Sequence, residues 1–223
     1  MSDFALDASG FIHNSTIYEH NFECVLSQII ACYNLMKSDN CSVQNNENFI
    51  RDEIVIEYLM KNDVRRRIGA DYIFYREFLT ADNAGRVDIY VATQNIFQDT
   101  DAYYTIECKR LDGKNKLNNE YIANGIMRFT NERKYPFYND TAGMIGFVVE
   151  KIDIHKNISA INKLLKQDFT CINTEAPLTH KAIESFEHSY LSKHRVDNAT
   201  KTIYHLMFDF SDNIVHSCRN EQL

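Results

Sequence analysis

The spacing of hydrophobic residues switches along this chain between a helical period and a strand period, and the switches mark out its elements. Ile17, Val25, Leu26, Ile29, Ile30, Tyr33 and Met36 recur at helical spacing and predict an amphipathic helix over 15–37. The polar run from Lys37 to Asn46 reads as a loop. From Glu47 the residues Phe49, Ile50, Ile54, Val55, Ile56, Leu59 and Met60 nearly encircle a second helix, which runs to Arg67 and stops before Gly69. Tyr72–Leu79, Val87–Thr93 and Tyr103–Lys109 then read as three strands. The turn-prone Ala81-Asp82-Asn83-Ala84-Gly85 joins the first two, a spacer 94–102 joins the next, and Asp112-Gly113 ends the third, so a meander is expected. A helix follows over 117–133, then a continuous apolar run, Met144–Glu150, as a buried strand placed in parallel by the helical crossover. Helices over 156–167 and 177–193 are predicted next, Pro177 sitting in the first turn of the latter, and Thr202–Phe210 alternates like a strand.

These elements predict an α/β fold with a mixed central β-sheet flanked by helices, in a single domain over 1–223. Its core spans 47–150, with an N-terminal helical appendage (1–46) and a C-terminal helix-strand extension (151–223). Composition agrees with a globular chain: 223 residues, 44% hydrophobic and 25% charged, with two prolines and seven glycines that argue against long linkers. The six cysteines show no C-x-x-C pair and no ligand-like cluster with histidine, so the expectation is free thiols in a reducing cytoplasm rather than a zinc site or disulfides. No basic start precedes an apolar run and no stretch reaches membrane length, which excludes a secretory leader and a membrane partner from the expectation.

A net charge of −7 gives no global attraction to nucleic acid, so any phosphate contact is local. Basic residues cluster at Arg65-Arg66-Arg67, at Lys109, Arg110, Lys114 and Lys116, and at Arg128, Arg133 and Lys134. Each cluster also reads as a solvated face, and the arginine triplet as the cationic end of a helix. Arg128 borders the apolar stripe of its helix, where it either snorkels or clamps a phosphate.

The chemistry concentrates between Gly85 and Lys109. Strand alternation places Glu107 and Lys109 on one side and Tyr104, Ile106 and Cys108 on the other. On the preceding strand Val87, Ile89 and Val91 take one face, leaving Asp88 on the opposite one. Paired as a hairpin, the two strands bring Asp88 and Glu107 together beside the Lys109 ammonium, an arrangement suited to a divalent metal. The plain alternatives are a turn-capping acid at Asp88 and a cross-strand surface pair of Glu107 with Lys109. Glu77 either faces the same site or pairs with an arginine, the pairing being the preferred reading. His188, His194, His205 and His216 match no ligand spacing, and Ser192-Lys193-His194-Arg195 could present polar groups to phosphate.

The order helix, strand, strand with Asp88, strand with Glu107-x-Lys109, helix, strand resembles the PD-(D/E)XK phosphodiesterase superfamily, the restriction-endonuclease-like fold, over roughly 47–150. Val87 replaces the motif proline. The resemblance implies that Asp88, Glu107 and the backbone carbonyl of Cys108 hold Mg²⁺ or Mn²⁺, with Lys109 orienting or deprotonating the attacking water. A further acid from the first core helix is implied, and periodicity does not choose between Glu47 and Glu53. Arg110, Lys114, Lys116 and Arg128 are the candidate nucleic-acid contacts.

The resulting expectation is a metal-dependent endonuclease acting on DNA ahead of RNA, as a homo-oligomer or a subunit of a larger complex. By the same resemblance it would be an effector of a bacterial defence or restriction-like system. Its rivals are an inactive module of the same fold that binds nucleic acid or a partner protein, and a scaffold whose acidic surface docks a basic partner.

Overall fold

The computed structural model describes residues 14–79, 85–93, 96 and 102–215, with side chains from residue 21 onward. The predicted turn at 81–84, most of the spacer 94–101, the Ile17 side chain and His216 lie outside the described residues. Five helices and a seven-stranded mixed open sheet make up the α/β architecture of the described part.

Helix α1 (Asn14–Ser38) carries the predicted apolar stripe, and Phe22, Val25, Leu26, Ile29 and Met36 are fully buried in the core. Helix α2 begins as α-helix (Glu47–Asp52), capped by the Asn46 side chain accepting from Phe49 N–H at 3.1 Å, and widens to a π-helical stretch (Glu53–Leu59). It stops at Met60, so the long helix predicted to Arg67 is two helices. The chain restarts as α3 (Asn62–Ile68), which ends on Gly69 at φ +63°, a left-handed position that glycine adopts without penalty. The loop predicted over 37–46 contains a short strand, β1 (Val43–Gln44), which pairs in parallel with β9 (Ile214–Val215).

Strands β2 (Ile73–Leu79), β3 (Arg86–Ala92) and β4 (Tyr103–Leu111) form the predicted antiparallel meander. Helix α4 (Asn115–Tyr121, π-helical over Ile122–Ile126, closing with Met127–Thr130) crosses over to β5 (Thr141–Val148), which lies parallel to β4. Helix α5 (Ile154–Gln167) follows, capped by the Asp153 side chain. The sheet is completed by β6 (Thr174–His180), β7 (Ser189–Val196) and β8 (Ala199–Asp209), in the order β2-β3-β4-β5-β8-β7-β6. Helices α1 and α2 cover one face of the sheet, against Ile106, Ile145, Leu206 and Phe208. Helices α4 and α5 cover the other, against Leu111, Met144, Val148 and Met207.

The helix predicted over 177–193 is an error of period, and the C-terminal extension is one helix followed by antiparallel strands. In β7, after the buried Ser189 at its start, the buried residues are Tyr190, Ser192, His194 and Val196, a period of two. Because two of those four are polar, the alternation does not show as hydrophobicity. Pro177 is tolerated because β6 is the outermost strand, where a missing N–H breaks no ladder on the solvent side.

Candidate active site

The site lies where β3 and β4 part. Their ladder holds from Ala92 against Tyr103 to Ile89 against Ile106 and goes no further, although β4 continues to Leu111. The next backbone donors along that edge of β4 are taken by carboxylates. Asp88 Oδ2 accepts from the Cys108 N–H at 2.8 Å, and Glu47 Oε2, on the first turn of α2, accepts from the Arg110 N–H at 3.3 Å. An edge that would otherwise lose its hydrogen bonds is thus closed by two acids, which fixes both of them over the strand.

Glu107 and Lys109 project beside these acids. Glu107 is fully buried; its Oε1 accepts from Lys109 Nζ at 2.7 Å and from Arg128 at 2.7 Å, while its Oε2 is buried with no hydrogen-bond partner. Burial, reinforced by the charge of Asp88 and opposed by Lys109 and Arg128, pushes the Glu107 carboxyl up to about 8. Lys109 Nζ spends its donors on Glu47 Oε1 (2.9 Å), Glu107 Oε1 and the Cys108 carbonyl (2.7 Å). Burial alone would lower its pKa, but Glu107, Glu47 and Asp88 outweigh that and hold it as an ammonium. Helix α4 approaches closely because Gly125 faces Met144 and the Lys109 stem, where an added Cβ would clash with the Met144 methyl. That approach delivers Arg128, whose guanidinium also donates to Tyr135 Oη at 2.6 Å.

A third acid completes a row across the sheet. The β2–β3 register sets Arg76 against Ile89 and Phe78 against Val87, placing Glu77 opposite Asp88, with Glu107 next in line on β4. Glu77 lies at φ +48°, a left-handed residue inside a strand. Val87 packs with the α4 face while Ile89 and Val91 pack with the α1–α2 face, so the single face predicted for the three is divided between the two cores. Arg51 of α2, itself buried, spans the row: it donates to Asp88 Oδ1 at 2.9 Å, to Glu77 Oε1 at 3.1 Å and to Asp52 at 2.7 Å. Glu77 therefore pairs with arginines, Arg51 and Arg86, and stands at the site as well.

Asp88, Glu107, Lys109 and Glu47 are brought together, along with Arg128. Glu53 is not; its carboxylate instead accepts from Cys41 Sγ at 3.5 Å. Arg110 bonds Asn45, Lys114 pairs loosely with Asp112, and Lys116 is exposed, so these three border the site without entering it. Ser192 and His194 are buried and present nothing to solvent, while Arg195 pairs with Glu175. Arg51 and Tyr135 carried no sequence signal of their role; the one clue to Arg51 was a cation inside a helix whose apolar residues run almost all the way round.

Among the described residues no group of three or more His, Cys, Asp or Glu side chains is placed to hold a metal. The carboxylates of Asp88 and Glu107 and the Cys108 carbonyl are the oxygen donors a hard cation takes; Asp88 is engaged by Arg51 and the Cys108 carbonyl by Lys109, while Glu107 Oε2 is buried without a hydrogen-bond partner. No helix among the described residues is long and apolar enough to cross a membrane. Comparison with protein families, curated proteins and solved structures finds no match to this chain.

Proposed function

We propose that this protein is a metal-dependent phosphodiesterase of the restriction-endonuclease-like kind, acting on DNA ahead of RNA. The observation that carries the reading is the convergence of Asp88, Glu107 and Lys109 where β3 leaves β4, with one oxygen of Glu107 buried and unpaired. The element order, in which an acid-bearing helix leads to three meander strands, a helical crossover and a parallel strand, supports it.

Asp88, Glu107 and the Cys108 carbonyl would hold Mg²⁺ or Mn²⁺, which when bound supplies a water of lowered pKa and stabilises charge on the phosphate. Lys109, anchored by Glu47, offsets negative charge and, with Glu107 and the Cys108 carbonyl taken up by a metal, would have Nζ donors free to orient the attacking water. Arg128 is held by Glu107 and Tyr135 on the neighbouring side, aligned to bind a phosphate oxygen through its remaining N–H groups. Glu47, rather than Glu53, is the helical acid of the site.

The test is cleavage of single-stranded, duplex and supercoiled DNA and of RNA, with and without Mg²⁺. Asp88→Ala, Glu107→Ala and Lys109→Ala should each abolish Mg²⁺-dependent cleavage, and undiminished activity in all three would refute the assignment. One observation favours a second reading, an inactive module of the same fold: five carboxylates (Glu47, Asp52, Glu77, Asp88, Glu107) are already matched by five cations (Arg51, Arg76, Arg86, Lys109, Arg128). Calorimetry with Mn²⁺ separates the two, since the inactive module takes up no ion at Asp88.

A further inference from the structure

Beside the acid row, on the same sheet face, lies a group of aromatic rings that the cleavage chemistry does not use. Tyr75 is opposite Tyr90 in the β2–β3 register, two residues (about 7 Å along a strand) from the Glu77–Asp88 position. Tyr90 stacks on Tyr103 with ring centres 4.6 Å apart, and Phe78 leans against both, 4.3 Å from Tyr90 and 6.0 Å from Tyr103. Phe78 belongs to this group only because of Glu77. In a regular strand Phe78 and Tyr75 would point to opposite faces, but the left-handed residue between them swaps the phase and turns Phe78 over Tyr90. Tyr90 and Tyr103 are buried, whereas Tyr75 is 44% and Phe78 40% exposed, so two rings are offered to solvent on a rigid aromatic base.

We propose, building on the phosphodiesterase reading, that Tyr75 and Phe78 stack unpaired bases and that the substrate enters as a single strand. Base stacking on aromatic rings needs a free base face, which duplex DNA hides inside its own stack. Around the rings Arg51, Arg76 and Arg86 are met by Asp52, Glu77 and Asp88, so phosphate finds no net attraction there and the contact with the strand rests on stacking. A second copy pairing edge to edge on β2 is the competing occupant. The kink at Glu77 and the charges of Arg76 and Glu77 are what an edge strand carries when it is protected against that pairing.

The experiment is fluorescence anisotropy with a labelled oligothymidylate and a hairpin duplex of matched length, in EDTA so that no cleavage occurs. Wild type should bind the single strand more tightly than the duplex. Tyr75→Ala and Phe78→Ala should each weaken single-strand binding roughly 5- to 150-fold, leaving duplex binding unchanged and the fold intact by circular dichroism, and Tyr75→Phe should retain wild-type binding. Equal binding by the alanine variants, or a preference for duplex, overturns the proposal. So does a wild-type dimer in analytical ultracentrifugation that Phe78→Ala dissociates without changing oligonucleotide binding. Because binding is read without a divalent ion, failure here leaves cleavage through Glu107 intact, and loss of the cleavage reading would not by itself abolish the stacking.

Discussion

Two polar clusters are buried in this sheet, and they are satisfied in opposite ways. On β7 and β8 a chain runs from Tyr121 Oη to His205 Nδ1 (2.8 Å), from His205 Nε2 to Ser192 Oγ (2.8 Å), from Ser192 Oγ to His194 Nε2 (2.8 Å), and from His194 Nδ1 to Thr174 Oγ1 (3.2 Å). With both imidazoles neutral, donors and acceptors alternate along it in either direction and no ring nitrogen is left over. At β3 and β4 the cluster is charged, crowded with like carboxylates, and leaves Glu107 Oε2 with nothing to bind. A closed neutral chain holds strands in register. An open charged one costs stability, and on the phosphodiesterase reading proposed above a cation would complete it.

The sharpest way to break this contrast is to substitute at its two centres. Glu107→Gln should lower Mg²⁺-dependent cleavage by on the order of 10²- to 10³-fold or more, measured as single-turnover rate. It should also leave the metal-free melting temperature unchanged or raised, because it removes a charge that burial and Asp88 both disfavour. Added Mn²⁺ should raise the melting temperature of wild type and not of this variant. A structural ion pair would behave in the reverse manner, melting earlier with no response to the ion.

Ser192→Ala is the counterpart. It strips a partner from two buried ring nitrogens at once and should cost about 2–4 kcal/mol in denaturant unfolding, with the cleavage rate unaltered.

Acid should affect the two clusters unequally. Burial pushes His194 down to about 4 and lowers His205 as well, while the unfolded chain keeps both near 6.5. Below about 6.5 the unfolded state therefore binds protons that the folded state refuses, and stability falls as pH drops toward 4. The loss is about 3 kcal/mol for His194, read from urea melts across that range. His194→Gln, which cannot ionise, should flatten the slope.

The third meander strand was legible from its alternation, as in Tyr104, Ile106 and Cys108, the crossover from its helical period, and the parallel strand from its continuous apolar run. Asp88, Glu107 and Lys109 were legible as polar residues inside apolar strands. What stayed hidden depended on residues that break the rules of their own element. Polar Ser192 and His194 masked a strand. Glu77, at a left-handed φ, moved Phe78 across the sheet. Arg51 became a bridge among acids only once α2 was docked against β3 and β4, a contact between residues 37 positions apart.

The smallest expected effect concerns the two helical acids that periodicity left equal. Glu47 is in the first turn of α2, where it caps the Arg110 N–H and holds Lys109, so Glu47→Gln should weaken both contacts without removing them. A several-fold fall in cleavage rate with little change in stability is expected, because the amide oxygen still accepts from Lys109 but no longer carries the charge that anchors it. Glu53 faces Cys41 on the far side of the π-helical stretch, and Glu53→Gln should leave the rate within twofold of wild type. Ordinary helical rotation separates them: six residues on from Glu47, Glu53 lies about 120° round the helix from the stripe that Glu47 and Arg51 share, and the π-helical widening only begins there. Equal losses in both variants would mean that Glu53 turns toward the acid row in solution.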